Sequence, residues 1–245
     1  MWNACLPCTL VCSARAWPRC KADRRTPMHT LPFSEALAAL AQGRLLIYPT
    51  ETYFGLGCRA TDQAAMAEVC RIKDRPLGKP LPLIVGGLDQ LGLASPQAAK
   101  ALEDPNSLVS RIAKHFWPGP LALLVEPASD LADQARGVDG LAAVRVTSHP
   151  VAARLCRELG APIASTSANL SGKEPVIRPE DLDPELLERM GGAVLAEGDA
   201  PLGGEPSTLA ALDPRAFGVW LLRHGAVTDE ELRAVGVAVL TPDMI

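Results

Sequence analysis

Histidine is scarce in this sequence, and several well-known catalytic motifs are missing from it. The four histidines never fall at the spacing of a metal-binding pair; they are His29, His115, His149 and His224. The chain has no Gly-x-x-x-x-Gly-Lys loop, no His-Glu-x-x-His helix and no Gly-x-Ser-x-Gly turn. We therefore expect neither P-loop nor common hydrolase chemistry and no metal ligands, and we interpret His115 and His149 as packing or capping residues.

Long apolar runs are also missing. The longest apolar stretch, "LLIYPTETYFGLG", is interrupted by Pro49, Gly55 and Gly57, whereas a membrane-spanning helix needs about 18 or more apolar residues in succession. With 245 residues and 48% hydrophobic composition, the chain can nevertheless bury a sizeable core. The sequence favours a soluble globular protein with no membrane contact, built as one large α/β domain or as one domain with a small appendage.

An excess of positive charge is missing as well. The formal net charge of the chain is −4, and residues 28–245 hold 19 of the 24 basic and 27 of the 28 acidic residues, a balance of −8. Because proteins that wrap duplex nucleic acid by bulk charge need a basic surface, this balance argues against that mode of binding.

Residues 1–27 differ in composition from the rest, with four of the seven cysteines and a single acid. The Cys5-x-x-Cys8 pair is a zinc-ligand pattern, but no second matched pair accompanies it. The composition of this segment, which is poor in acids and contains arginine, also resembles that of a transit peptide. We expect residues 1–27 to be a disordered extension or a mis-called start, with Met28 as the true beginning. The remaining cysteines are scattered, as reduced thiols of a cytoplasmic protein are; they are Cys58, Cys70 and Cys156.

Helix and strand signals alternate along the body of the chain. Ser34 is the predicted N-cap of a helix that ends at Gly43. Asp62 or Thr61 is the predicted N-cap of a helix that ends before Pro76. A third helix is predicted from Pro150 to Gly160. Apolar segments between and after the helices predict a mixed rather than purely parallel sheet; they are "RLLIY", "LPLIVGG", "LALLVEP", "LAAVRVT", "APIAST", "AVLAE", "STLAAL" and "VWLLR".

The segment "GLGCRA" matches the Gly-x-Gly-x-x-Ala pattern of dinucleotide-binding turns. In a true phosphate turn the strand runs directly into the first glycine, but here "PTETYF" intervenes and Pro49 interrupts the strand. We therefore interpret Gly55 and Gly57 as positions where the backbone needs a tight path.

Two features indicate an anion site. The loop "STSANLSG" (165–172) follows a short apolar strand and presents hydroxyls, an amide and backbone N–H groups, although an ordinary polar turn would have the same composition. The second feature is a set of basic residues in unusual settings, each of which could alone be a surface cation or half of a structural ion pair. These residues are Lys73, Arg75, Lys79, Arg145 and Arg223. Together the two features predict a polyphosphate held by side chains.

Six segments in this order resemble the YrdC-like family of threonylcarbamoyl-adenylate synthases, in its short single-domain form. They are "YPTETYFGLG", "IKDRPLGKPLPLIV", "FWPGP", "VRVTSHP", "STSANLSG" and "PSTLAAL…LLRHGAV", within residues 30–226. The resemblance implies a single α/β domain, with a twisted mixed β-sheet and flanking helices around a positively charged cavity. It assigns residues 28–226 to the catalytic domain and leaves 227–245 as a short helix and a C-terminal tail.

The resemblance also implies an activity: ATP, L-threonine and bicarbonate, with Mg²⁺, give threonylcarbamoyl-AMP and pyrophosphate. A downstream transferase would use this product to modify tRNA. The implied catalytic residues are Lys73 and Arg75. The implied ATP-binding residues are Lys73, Arg75, Lys79, Ser167, Asn169 and Arg223, and the implied threonine-binding residues are Thr52, Arg145 and Ser207.

Two alternatives remain open from the sequence. The first is an RNA-binding or ribosome-maturation module of the same fold, in contact with tRNA or double-stranded RNA, which the acidic balance of the body disfavours. The second is a carbamoyl-transfer domain of hydrogenase maturation proteins, but the zinc-finger and acylphosphatase segments that accompany it are not found. Glu51 and His224 depart from residues that are frequent in the family, so their roles stay open.

Overall fold

The structure is a computed structural model that describes residues 28–76 and 78–240. The expectations for residues 1–27, including a zinc site at Cys5 and Cys8, lie outside the described residues, as do those for residues 241–245.

Short helices and strands alternate along the described chain. The strands are β1 (His29–Thr30), β2 (Leu46–Pro49), β3 (Phe54–Gly57), β4 (Leu83–Val85), β5 (Leu121–Val125), β6 (Ala142–Val146), β7 (Ile163–Ala164), β8 (Thr166–Ser167), β9 (Ala193–Val194), β10 (Thr208–Asp213), β11 (Gly218–Arg223) and β12 (Ala238–Leu240). The α-helices are α1 (Phe33–Ala41), α2 (Gln63–Ile72), α3 (Leu91–Ala94), α4 (Pro96–Ala101), α5 (Leu108–Phe116), α6 (Pro150–Leu159), α7 (Pro184–Met190) and α8 (Asp229–Ala234).

The strands form two mixed sheets. The first has the order β1-β9-β2-β3-β8, and the second has the order β12-β11-β10-β5-β6-β4-β7. Both contain parallel and antiparallel neighbours: β2 is parallel to β9 but antiparallel to β3, and β4 is parallel to β6 but antiparallel to β7. The prediction of a mixed sheet with flanking helices is therefore confirmed, although the strands divide between two sheets.

One segment passes from the second sheet to the first. The sequence "APIAST" was expected to be a single strand, but the structure divides it: β7 pairs with β4, β8 pairs with β3, and Ser165 lies between them. The backbone N–H of Ser165 donates to Pro82 O at 2.8 Å, which ties the crossing to the segment before β4. Because of this crossing, the polar loop 165–172 lies at the junction of the two sheets.

Two apolar clusters cover opposite faces of the sheets. Because side chains alternate along a strand, β2 sends Leu46 and Tyr48 to a cluster with Phe33 of α1 and Leu155 of α6. Ile47 of the same strand faces the larger cluster, which contains side chains of α2, α5 and α7. The strands β2, β4 and β6 are therefore buried along their whole length.

The helix-capping predictions were partly right. Asp62 caps α2 by accepting from Ala64 N and Ala65 N at 3.0 Å, and Gly160 ends α6 with φ of 64°. Ser34 was wrong as a cap: it lies inside α1, whose N-cap position is Pro32, and Phe33 N donates at 2.9 Å to Glu197 Oε1. The acceptor that replaces the local cap is more than 160 residues away in sequence, so local pattern could not reveal it.

The interpretation of Gly57 as a point of close backbone approach is confirmed. A Cβ atom at this position would lie 1.9 Å from Ala164 O, so no side chain fits there. Gly57 therefore lies in a strand that packs closely against the β7 segment and not in a phosphate-binding turn. Cys58, Cys70 and Cys156 are free thiols, and Cys58 and Cys156 are buried. Among the described residues, no helix has the length and apolar character needed to cross a membrane.

Candidate active site

Lys73 connects the end of α2 to the polar loop that follows β8. Its Nζ donates to Ser167 O at 2.9 Å, to Asn169 O, and to Asn169 Oδ1 at 3.0 Å. In the opposite direction, Ser171 Oγ donates to Lys73 O. The lysine is 7% exposed, and its three donors match these three oxygens. Lys73 therefore holds the loop in place as well as adding a charge to it.

The loop is also braced internally. Ser167 Oγ donates to Asn169 Oδ1, and Asn169 Nδ2 donates to Lys173 O. With Oδ1 shared between the Ser167 hydroxyl and the Lys73 ammonium, the orientation of the Asn169 amide is determined by its neighbours. Serine and asparagine side chains are thus pre-positioned beside a buried cation.

Burial changes the acid–base behaviour of Lys73. It lowers the pKa of the ammonium from 10.5 to about 8, and the nearby Arg75 guanidinium contributes to the lowering. Desolvation and a like charge both disfavour the protonated form of a lysine. Most Lys73 side chains are still charged at pH 7, but they begin to lose the proton just above it.

Arg75 shapes the segment that follows it. Its Nε donates to Lys79 O at 2.8 Å, and its Nη2 donates to Pro80 O. The Lys79 side chain is exposed, and no described residue forms an ion pair or hydrogen bond with its ammonium. The structure therefore brings the Arg75 side chain and the Lys79 backbone together, while the Lys79 ammonium points away from any described partner.

Arg223, at the end of β11, joins the same group of cations. Its Nε donates to Ser207 O at 2.9 Å, just before β10 begins. Burial lowers the pKa of Arg223, and the charge of Arg145 lowers it further; burial likewise lowers the pKa of Arg75, with Arg223 adding to the effect. These mutual effects place Arg145, Arg223, Arg75 and Lys73 near one another, so they form one positive region in which Arg145 is paired with Glu51.

Arg145 has a carboxylate partner within the chain. It projects from β6 with 7% exposure, and its Nη1 donates to Glu51 Oε1. Thr147 Oγ1 donates to the other carboxylate oxygen, Glu51 Oε2, at 2.7 Å. Both charged side chains are only 9% exposed, so this is a buried ion pair with hydrogen-bond support. The expectation that an arginine inside an apolar strand needs a partner is confirmed.

Glu51 and Thr147 are the residues of this site that sequence reasoning missed. Glu51 was noted only as a departure from a family motif, and Thr147 was not singled out. The sequence did hold one indication of this pair. A buried arginine such as Arg145 requires an acidic partner, and Glu51 is adjacent to Thr52 in the segment "YPTETYFGLG". The pairing itself joins residues 94 positions apart, so its geometry depended on the fold.

A backbone segment near residues 199–204 packs on the loop that carries Thr52. Gly203 N donates to Thr52 O at 2.8 Å, and Leu202 N donates to Glu51 O at 3.3 Å. The Tyr53 hydroxyl donates to Gly204 O, and His149 Nε2 lies 3.0 Å from Asp199 O. This segment anchors the Thr52 loop above Arg145, and His149 takes the packing role that its position suggested.

A family model described as "Telomere recombination", the Sua5/YciO/YrdC model, matches residues 38–225. The chain belongs to this family. A threonylcarbamoyl-AMP synthase of Pseudoalteromonas translucida is 37% identical over 187 residues, which are 74% of this chain and 94% of that protein. A threonylcarbamoyl-AMP synthase of Xanthomonas campestris is 37% identical over 177 residues, covering 72% and 89% of the two chains.

Solved structures of the family agree with this fold. The crystal structure of P. abyssi Sua5 complexed with L-threonine superposes with a TM-score of 0.69 at 29% identity. The match covers 86% of this chain but 59% of that one, so this chain spans about three-fifths of the Sua5 protein. The resemblance drawn from the six sequence segments is confirmed, as is the α/β fold with mixed sheets.

The described side chains of this Sua5/YciO/YrdC-family site are poorly suited to hold a metal ion. The converging side chains are cations, hydroxyls and an amide, and both oxygens of the Glu51 carboxylate are occupied by Arg145 and Thr147. The described residues contain no group of three or more His, Cys, Asp or Glu side chains that could hold a metal ion. Hard divalent cations need free oxygen ligands, so this donor set does not fit a metal held by the protein alone.

Proposed function

We propose that this protein is a threonylcarbamoyl-AMP synthase that uses ATP, L-threonine and bicarbonate. The observation that carries the proposal is the contact of Lys73 with the Ser167–Asn169 loop, with Arg75, Arg223 and Arg145 in the same positive region. The relatives named as threonylcarbamoyl-AMP synthases, which this chain matches over most of their length, support it. A site rich in fixed cations suits a reaction in which a triphosphate is cleaved.

The proposed reaction has two steps that balance. First, the threonine nitrogen bonds to the carbon of bicarbonate, and water leaves, which gives the carbamate of threonine. A carbamate oxygen then attacks the α-phosphorus of ATP, and the bond to the β-phosphate oxygen breaks to release pyrophosphate. Charge accumulates on the equatorial and leaving oxygens in the transition state, where fixed cations stabilise it. No covalent nucleophile from the protein is required.

The nucleotide is assigned to the Lys73 end of the positive region. Lys73 and Arg75 would stabilise the reacting phosphates, with Ser167 and Asn169 binding the nucleotide through their hydroxyl and amide groups. Arg223 would bind the phosphates from the end of β11, and Lys79 would reach them from its exposed position. The hydrogen-bond donors of Lys73 are used by the loop. Its proposed role is therefore to position the loop and to stabilise the phosphates through its charge from a distance.

Threonine is assigned to the Arg145 end. Arg145 contacts Glu51 through Nη1, and within the described residues its other nitrogens donate to no protein acceptor, so they are available to a second carboxylate. Thr52, whose carbonyl accepts from Gly203 N, and Ser207, whose carbonyl accepts from Arg223, would contact the threonine. The complex of P. abyssi Sua5 with L-threonine supports an amino-acid site in this fold. Bringing three reactants together is itself a large part of such catalysis.

We expect Mg²⁺ to enter bound to the phosphates of ATP, as part of the substrate, because the protein donor set does not fit a resident metal. The product would pass to a transferase that modifies tRNA, in the cytoplasm. Any direct contact with tRNA or double-stranded RNA would be secondary, because the charge balance of residues 28–245 is −8.

Omission of single substrates tests the proposal. Pyrophosphate release from ATP is measured in the complete mixture and with L-threonine or bicarbonate left out. The proposal requires release to fall to background in both omissions. Release that continues without threonine would overturn it, as would RNA affinity with a steep salt dependence in a protein that has no threonine-dependent turnover.

A further inference from the structure

A cavity of about 320 Å³ is lined by residues that take no part in the proposed active site. It lies where the chain leaves β3 for α2 and where residues 160–162 lead into β7, and it includes Arg59 and Pro162. Arg59 forms a bridge with Ile163, while Gly55 of the same strand pairs with Ser167. Four residues of extended chain separate these points, about 13 Å at the usual rise per residue. The cavity is therefore distinct from the proposed ATP and threonine sites.

Arg59 supplies an unpaired positive charge to this cavity. Its Nε is buried and has no hydrogen-bond acceptor, and its side chain forms no ion pair with any described residue. A buried donor without an acceptor costs about 1–3 kcal/mol, and more when it is charged. The Nη groups of Arg59 also bond to no described residue, so an acceptor on a ligand in the cavity would pair with them.

Further donors line the same opening. Thr61 and Ser129 line the cavity, and neither hydroxyl bonds to another described residue. The backbone N–H groups of Ser129 and Asp130 also donate to no described acceptor. A guanidinium, two hydroxyls and two free N–H groups form a donor set that suits an oxyanion.

The charged and apolar side chains that line the cavity limit the class of ligand that it can bind. Asp130 contributes the one carboxylate to the lining, so with Arg59 the cavity is close to neutral and favours a monoanion over a multiply charged phosphate. Leu93 and Pro162 give it apolar walls, and 320 Å³ is at the lower end of the range for small-molecule sites. We propose that this cavity binds a small monocarboxylate with an apolar body, whose carboxylate is held by Arg59.

Benzoate and its neutral isostere benzamide test this site. Titration is followed through the Nε–H resonance of Arg59 in the ¹⁵N spectrum of the full chain, assigned by its loss in Arg59→Gln. We expect benzoate to shift this resonance with a dissociation constant on the order of 1 mM, and we expect benzamide and inorganic phosphate to bind at least about tenfold more weakly. Equal affinities for benzoate and benzamide would overturn the proposal, because they would show that the cavity binds the apolar ring and does not recognise the carboxylate.

Variants separate this cavity from the proposed active site. The amide resonances of Thr61 and Ala161 report occupancy when Arg59 is replaced. Arg59→Gln should weaken benzoate binding there at least about tenfold, Arg223→Gln should leave it unchanged, and Asp130→Asn should strengthen it about twofold. Unchanged binding in Arg59→Gln, or weaker binding in Asp130→Asn, would contradict the assignment. If Arg59→Gln lowers the melting temperature markedly, Arg59→Lys replaces it and must retain binding.

Discussion

Replacing Lys73 with methionine removes the ammonium that links α2 to the polar loop while keeping a side chain of similar length. The variant loses three hydrogen bonds, to Ser167 O, Asn169 O and Asn169 Oδ1. At about 1.5–3 kcal/mol for each bond to a charged group, they contribute roughly 4.5–9 kcal/mol to the free energy of unfolding. The Ser167–Asn169 loop would then lack its strongest tether.

The burial of the charge works in the opposite direction. The pKa of Lys73 falls from 10.5 to about 8, which corresponds to about 3 kcal/mol of differential free energy. At pH 7, below both values, the folded and unfolded chains are both charged, so this cost is present almost in full. The hydrogen-bond contribution is the larger of the two, so we expect Lys73→Met to lower the free energy of unfolding by about 2–6 kcal/mol.

Activity should fall by more than the loss of folded protein explains. With the loop untethered and a cation lost, we expect kcat/KM for ATP to fall on the order of a hundredfold, equivalent to about 3 kcal/mol of transition-state stabilisation. Denaturant unfolding and threonine-dependent pyrophosphate release are measured together, with the exposed Lys114→Met as the matched control. Near-wild-type turnover in Lys73→Met would refute the reasoning, and so would an unchanged free energy of unfolding.

Three further predictions use the same assays. Arg145→Lys keeps the charge but loses the planar fork, so it should raise the KM for threonine about tenfold with little change for ATP; loss of stability without a change in threonine dependence would favour a purely structural pair with Glu51. Asp74→Gly should raise the free energy of unfolding by about 1 kcal/mol, because Asp74 has φ of 45° and its ion pair with Arg189 is largely exposed; an unchanged or lower melting temperature would contradict this. As pH rises through about 8, Lys73 loses its proton, so kcat/KM for ATP should decline above that pH, and a rate that stays flat to pH 10 would show that its charge is not used.

Local signals in the sequence predicted the elements well. Asp62 and Gly160 were recognised as helix ends because their effects involve neighbours within one turn. The failures arose where a distant residue replaced a local one: Glu197 satisfies the N-terminus of α1 in place of Ser34. The expected strand "APIAST" divides at Ser165, since pairing with β4 and then β3 is decided by the packing of the two sheets.

The candidate site shows the same division. Arg145 could be selected from sequence because a charge inside an apolar strand is costly without a partner, and the structure supplies Glu51. The sequence also drew attention to Lys73 and Asn169, but as separate ligands of a nucleotide. Their direct contact depends on α2 and β8 ending at the same place, which only the assembled fold determines.

Mass spectrometry of the reaction product tests the central proposal most directly. The protein is incubated with ATP, L-threonine and ¹³C-bicarbonate, and the nucleotide products are analysed. The account predicts an AMP adduct that contains one threonine and one ¹³C carbon, formed together with pyrophosphate. Products limited to ADP and phosphate, or an AMP adduct of threonine without the ¹³C carbon, would contradict it.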